Sequence, residues 1–206
     1  MYLLFLISAI GMISIIPFYF WSLEHKKFFE HYGQRKGKSL TTIFGLISGW
    51  GFFLFLFSIW ISPQPKLNIP FITSSLDFIS FFSFSISVLH LMISLPIILV
   101  GAWFGIIGVK ETSLKVAETH RPEKVIDTGV YSHIRHPQYF GAILSHIGIS
   151  ILLSSLYSII STPIIILITF LFSWKEEKEL KKEFGKEYED YRRMVPMLFP
   201  RLRKKK

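Results

Sequence analysis

The 206-residue chain has no cysteine. That absence excludes a disulfide framework, a thiol nucleophile and a metal site built on thiolates, and it leaves the redox compartment unread. Acidic residues are also few, 14 Asp and Glu against 23 Lys and Arg, for a formal charge of +9. Signatures of common chemistries are missing as well. No H-E-x-x-H run occurs, and "GAWFGIIG" at residues 101–108 has neither the G-x-G-x-x-G spacing nor a preceding strand pattern. His120, His133, His136 and His146 have no compact carboxylate cluster beside them, so no metal is expected.

What the chain has in abundance is apolar surface. Half of its residues are hydrophobic, 21 are Phe, and the mean hydropathy is +0.45. That composition suits an integral membrane protein whose solvent is lipid. A helix needs roughly 20 apolar residues to cross the hydrocarbon. Three runs meet this: Met1 to Leu23, Leu40 to Ser62, and about Phe84 to Val109. The first lacks a basic leader and a small-residue cleavage site, so it reads as a retained helix. A fourth apolar region, Tyr139 to Trp174, is too short for two generous crossings and reads as a tight, partly immersed hairpin. Its break is expected near Ser154 and Ser155, with Pro163 starting or kinking the returning arm. Pro63 to Phe82 reads as a loop with a short interfacial helix. The fold class is therefore all-α and polytopic, with about five transmembrane segments and an amphipathic C-terminal helix. A single domain is expected over residues 1–206: spans over 1–109, the chemistry over 110–206.

Positive charge near span ends stays on the cytoplasmic side. Lys and Arg number five in Glu24 to Ser39, five in Lys110 to Gln138 and twelve from Lys175 onward, against Lys66 alone in Pro63 to Leu76. This places the N-terminus outside and the polar chemistry in the cytoplasm. The same charge is explained by topology and by anionic membrane lipids, so no nucleic-acid partner is expected.

A closed hairpin would bring "DTGVYSHIRHPQYFG", before it, beside "WKEEKELKKEFGKEYEDYRRMVP", after it. Arg135 would then face Glu176 and Glu177, because a carboxylate at a membrane boundary is costly without a partner. If Lys175 to Arg193 is one helix, then Glu176, Leu180, Phe184, Tyr188 and Tyr191 form a stripe. Glu176 falls on that buried face. Glu177 lies about 100° away and is expected at the surface, paired with Lys181.

"TGVYSHIRHPQYFG", followed after an apolar hairpin by "EE...L...FG.EY..Y...VP...P", resembles the C-terminal half of the isoprenylcysteine carboxyl methyltransferase family and its phospholipid methyltransferase relatives. The resemblance covers about Val125 to Pro200. It implies an S-adenosylmethionine-dependent methyltransferase of membrane-borne amphiphiles, with a lipidic acceptor and the surrounding membrane lipids as partners. By carry-over, the cofactor would be lined by Glu123, Lys124, Val125, Ile126, Tyr131, His136, Pro137, Gln138, Tyr139, Glu176 and Glu177. Aromatic and apolar walls with a few fixed polar groups suit a nucleoside, Tyr faces suit a sulfonium, and a Glu suits an ammonium.

The sequence departs from the prenylcysteine pattern at one place: Phe172 or Ser173 stands where that family carries an arginine facing the substrate carboxylate. Lys175 is the nearest cation. Arg135, Lys175 and Glu176 are accordingly the expected catalytic residues, and the carboxylate of a prenylcysteine is the expected acceptor. Two alternatives stand beside this: N-methylation of a phospholipid amine, and a non-catalytic membrane scaffold or small transporter.

Overall fold

The computed structural model describes residues 2–67, 78–81, 84–113 and 124–200. Its elements run α1 (Leu3–Leu23), α2 (His25–Ile61), β1 (Phe78–Phe81), β2 (Phe84–Ser87), α3 (Val88–Thr112), a 3-10 turn (Gly129–Ser132), α4 (Pro137–Leu152), α5 (Leu156–Ile160), α6 (Thr162–Phe184) and α7 (Lys186–Met194). Helices α1, α2 and α3 are long and apolar enough to cross a membrane.

These helices are packed inside out relative to a soluble bundle. The buried positions of α2 are Gly37, Thr41, Gly45, Ser48, Phe52, Leu56 and Ile59, at spacings of three and four. Ile43, Ile47, Leu54 and Phe57 face outward. Small residues inside allow close helix contact, while bulky apolar ones outside dissolve in lipid tails. The shared core draws Met12, Ile15 and Tyr19 from α1, Phe52, Leu56 and Ile59 from α2, and Ile165, Ile168 and Phe172 from α6. Helices α3 and α4 approach so closely that a Cβ on Gly141 would lie 2.5 Å from the Gly101 carbonyl and 2.7 Å from the Gly105 nitrogen. Packing between helices therefore accounts for Gly101 and Gly141.

Several expectations need correction. The helix carrying the second span does not start near Leu40: α2 begins at His25 and runs through the charged stretch, kinking at Gly33, where φ is 77°. Lys, Arg and Glu are good helix formers, so polarity there marks the end of the apolar run and not the end of the helix. The third span starts at Val88, because Phe84–Ser87 pairs as a strand with Phe78–Phe81 in an antiparallel two-stranded hairpin. The description all-α thus omits this hairpin, and residues 78–81 of the expected interfacial helix are extended; most of the remainder of that helix lies outside the described residues. The tail is two helices, α6 and α7, separated at Gly185, where φ is 54°. The turn after α4 falls at Leu153 to Ser155 as expected, and Pro163 occupies the first turn of α6.

Cross-links define two ends of the bundle. At one end, Leu67 N donates to Ser154 O at 2.8 Å, Leu156 N donates to Pro65 O at 3.1 Å, and the Tyr2 ring packs against Tyr157. Buried His146 is committed near that end, accepting from Trp60 Nε1 at 3.1 Å and lying 3.1 Å from Ser158 O. At the other end, Lys175 reaches Glu24, and the segment before α4 meets both α3 and the chain beyond α7. The polar residues singled out from the sequence gather there.

Candidate active site

The loop entering α4 is held from three sides. Gly129 adopts φ 55°, and a Cβ on it would collide with the Glu111 carboxylate. That carboxylate comes from the last turn of α3 and accepts from Val130 N at 3.1 and 3.2 Å. Beyond α7, the backbone closes the third side: Arg135 N donates to Pro196 O at 2.9 Å and His136 N to Met197 O at 3.1 Å. Tyr191 Oη donates to Tyr131 O at 2.7 Å. The TG, RH and VP elements of the two motifs thus mark one junction. Burial pushes the Tyr131 phenol up to about 12, so it stays protonated and donates to Gly108 O at 3.3 Å while accepting from Gln138 Nε2.

Arg135 is a clasp. Its Nε and Nη2 meet Glu177 Oε1 at 2.7 and 2.6 Å, and Nη1 donates to the carbonyls of Arg192 and Val195. Glu177 Oε2 also lies 3.1 Å from Arg192 Nε, an ion pair. This corrects the helix-phase expectation: Glu177 is only 4% exposed, and Lys181 pairs with Glu189 instead. The partner of Glu177 comes from 42 residues earlier in the chain, beyond the reach of helical periodicity.

Glu176 turns the other way. Its Oε1 accepts from Tyr139 Oη at 2.6 Å and from Tyr19 Oη, and the two hydroxyls also touch each other. Its Oε2 lies 3.2 Å from His136 Nδ1. His136 stands between the two carboxylates: Nε2 is 3.4 Å from Glu177 Oε1, within ion-pair reach, but makes no aligned hydrogen bond. Burial alone would lower the His136 pKa; the hydrogen bonds and charges of Glu176 and Glu177 outweigh it and raise the value above 6.5. For Glu177, burial opposes ionisation, but His136 and Arg135 hold its carboxyl below 4.5.

These groups line a cavity of about 690 Å³. Lys124, Val125, Ile126, Tyr131, Arg135, His136, Gln138, Tyr139 and Glu176 all contribute to its wall, as do Leu180, Phe184, Tyr188 and Tyr191 of the predicted stripe. The stripe survives the break at Gly185, since Val125, Leu180, Phe184, Tyr188, Tyr191 and Val195 pack as one cluster. The far side is apolar, with Leu46, Trp50, Phe52 and Phe53 of α2 and Phe172 of α6. Pro137 is fully buried against Gly108, opening α4 behind the wall. Glu123 and His120 lie outside the described residues, among which no group of three or more acidic or histidine side chains could hold a metal.

Lys175 is not part of this wall. Its ammonium bonds Glu24 Oε1 at 3.0 Å and Glu179 Oε1 at 3.1 Å. Phe172, at the departure from the prenylcysteine pattern, stacks on Tyr19 with centroids 3.8 Å apart. Tyr19 and the α2 residues of the wall were missed by motif reading, because they sit in spans that read as uniform hydropathy. A tyrosine near the end of the span, on the buried stripe Ser8, Met12, Ile15, Tyr19, was the available signal.

The chain is 35% identical over 104 residues to a methanethiol S-methyltransferase of Crocosphaera subtropica, the alignment covering 50% of this chain and 40% of that protein. It is 29% identical over 104 residues to a protein-S-isoprenylcysteine O-methyltransferase of Schizosaccharomyces pombe, covering 45% of this chain and 40% of that protein. A methanethiol S-methyltransferase 2 of Bradyrhizobium diazoefficiens is 39% identical over 75 residues, 35% of this chain and 27% of that protein. The alignments thus span well under half the length of these relatives. The phospholipid methyltransferase family matches residues 84–187, half of the chain, from β2 through the clasp and both glutamates into α7. On that match, this chain belongs to the phospholipid methyltransferase family.

Proposed function

We propose that this methyltransferase uses S-adenosylmethionine to methylate an amphiphile that reaches the site from the membrane. The observation that carries the reading is convergence: Lys124–Ile126, Tyr131, His136–Tyr139 and Glu176, which lie on separate segments, line one cavity with a polar end and an apolar end. Its volume of about 690 Å³ lies within the roughly 300–1,000 Å³ of small-molecule sites. The donor set fits the cofactor. Glu176 offers a carboxylate to the ammonium, Val125, Ile126 and Leu180 offer apolar wall to the nucleoside, and tyrosine faces suit the sulfonium. When bound, S-adenosylmethionine supplies a methyl group already activated for in-line displacement. The task of the chain is then to bind, orient and exclude water. His136 and the two phenols fix Glu176, the Arg135–Glu177 clasp fixes His136, and the α2 face supplies a dry wall.

The geometry favours an uncharged acceptor over the prenylcysteine carboxylate. Arg135 is spent on Glu177 and two carbonyls, and Lys175 on Glu24 and Glu179. The other lysines of the wall, Lys26, Lys124 and Lys182, lie at its exposed rim. Among the described residues, an ionised carboxylate brought into the apolar part would find no lysine or arginine there to offset its desolvation. An amine or a thiol would not need one; the name of the cyanobacterial relative supports a thiol and the family name a phospholipid amine. The discriminating experiment incubates purified protein with labelled S-adenosylmethionine and three acceptors in one detergent: a farnesylated cysteine analogue, phosphatidylethanolamine and an alkyl thiol. Methylation of the amine or thiol is expected. Exclusive methylation of the farnesylated cysteine would restore the carboxylate reading, and labelling of none would speak for a non-catalytic scaffold.

The topology that accompanies this reading has five segments, with the N-terminus outside and the site cytoplasmic. Its support is the charge count together with the cross-links: the tip of the α4–α6 hairpin pairs with residues just after α2, while its base meets Tyr19 and Glu24 at the opposite end of the bundle.

A further inference from the structure

We propose that Tyr19, on α1, is a positioning residue of the methyl-donor site, and that the N-terminal span is thereby part of the binding unit. The proposal rests on the reading above, in which Glu176 receives the cofactor ammonium. Tyr19 precedes the stretch matched by the family, residues 84–187, and no motif marks it. It is nonetheless 3% exposed, its ring lies flat on Phe172 at 3.8 Å and 17°, and its hydroxyl meets both Glu176 Oε1 and Tyr139 Oη.

The arrangement has a specific consequence for the carboxylate. Oε1 takes protons from two phenols on different helices, and Oε2 faces His136 at 3.2 Å. A carboxylate held by both oxygens from three elements is confined to one rotamer, which is what preorganised recognition of an ammonium requires. Each phenol carries one proton, and there are three oxygen-to-oxygen contacts. The pair therefore either donates twice to Oε1 or links the two phenols and donates once, and in every arrangement the Tyr19 hydroxyl is bonded to Glu176 directly or through Tyr139. At metal sites, the outer groups that orient a ligating side chain are worth about tenfold or more in affinity, and the same logic of orientation applies to a carboxylate aimed at an ammonium.

The test is calorimetric, on full-length protein in detergent, with three ligands. S-adenosylmethionine and S-adenosylhomocysteine share the aminoacyl ammonium; 5′-methylthioadenosine lacks it. Tyr19→Phe keeps the stacked ring and removes only the hydroxyl. The variant is expected to bind the first two ligands about tenfold more weakly, to bind 5′-methylthioadenosine as the wild type does, and to melt at the wild-type temperature. Tyr19→Leu should in addition lower the melting temperature, because the stack on Phe172 is lost. Unchanged affinity for all three ligands in Tyr19→Phe, with Glu176→Gln weakening the first two, would overturn the role of Tyr19 alone. Equal weakening of all three would also overturn it, since a general loss of packing makes no distinction at the aminoacyl end. If Glu176→Gln leaves all three affinities unchanged, the donor-site reading falls and Tyr19 with it.

Discussion

Glu176 and Glu177 are neighbours in sequence and work on opposite sides of a wall. The 100° between successive helical positions sends Glu176 to the cavity and Glu177 to the clasp. The separation of the pair was legible from periodicity, but the environment of Glu177 was not, because Arg135 arrives from a different helix. Breaking a buried pair by removing one partner leaves the other charge uncompensated, at about 3 kcal/mol. Glu177→Ala is accordingly expected to lower the detergent melting temperature more than Glu176→Ala does. The titration of the same cluster gives a pH dependence. His136 has its pKa raised in the fold, so its contribution is complete below 6.5 and is lost as pH rises through the folded value. Glu177 has its pKa lowered, so its contribution is present above 4.5 and is lost as pH falls through the folded value. Melting temperature should therefore decline toward both acid and alkaline pH, and His136→Gln should remove the alkaline decline and also soften the acid one, because His136 helps hold the Glu177 carboxyl low.

At the scale of elements, the three long helices and the position of the hairpin turn were readable from hydropathy, because apolar runs of sufficient length have few other places to go. What hydropathy misses is conformation at its own boundaries. The charged stretch of α2 is helical, Phe84–Ser87 is extended although apolar, and Gly185 splits a helix that looks continuous. Glycines in a helix also carry no hydropathic signature, yet Gly101 and Gly141 set the distance between α3 and α4 and thereby the position of the Arg135–Tyr139 loop. Gly141→Ala would force a Cβ to 2.5 Å from the Gly101 carbonyl. Overpacking of this kind costs about 1 to 3 kcal/mol. The variant should melt lower and, by moving the start of α4, bind cofactor more weakly even though it touches none. Unchanged stability in Gly141→Ala would show that the two helices separate freely.

For the whole molecule, the motifs announced a site, and the bundle explains why its pieces meet: five helices end, start or kink at the same end, and the chain past α7 folds back over the loop before α4. The absence of cysteine makes the orientation directly measurable. Single-cysteine variants at the exposed positions Gln34 and Pro63 should label from opposite faces of sealed vesicles, Gln34→Cys only from the cytoplasmic side. Labelling of both from one side would invert or dismantle the five-segment arrangement.

The central question is whether the cavity holds the methyl donor at Glu176. Titration of the purified protein with S-adenosylmethionine by calorimetry decides this. Saturable one-to-one binding is expected in the wild type, weakened about tenfold or more in Glu176→Gln and His136→Ala, each of which removes a hydrogen-bonded charged partner. Absence of saturable binding in the wild type, or wild-type affinity in both variants, would contradict it.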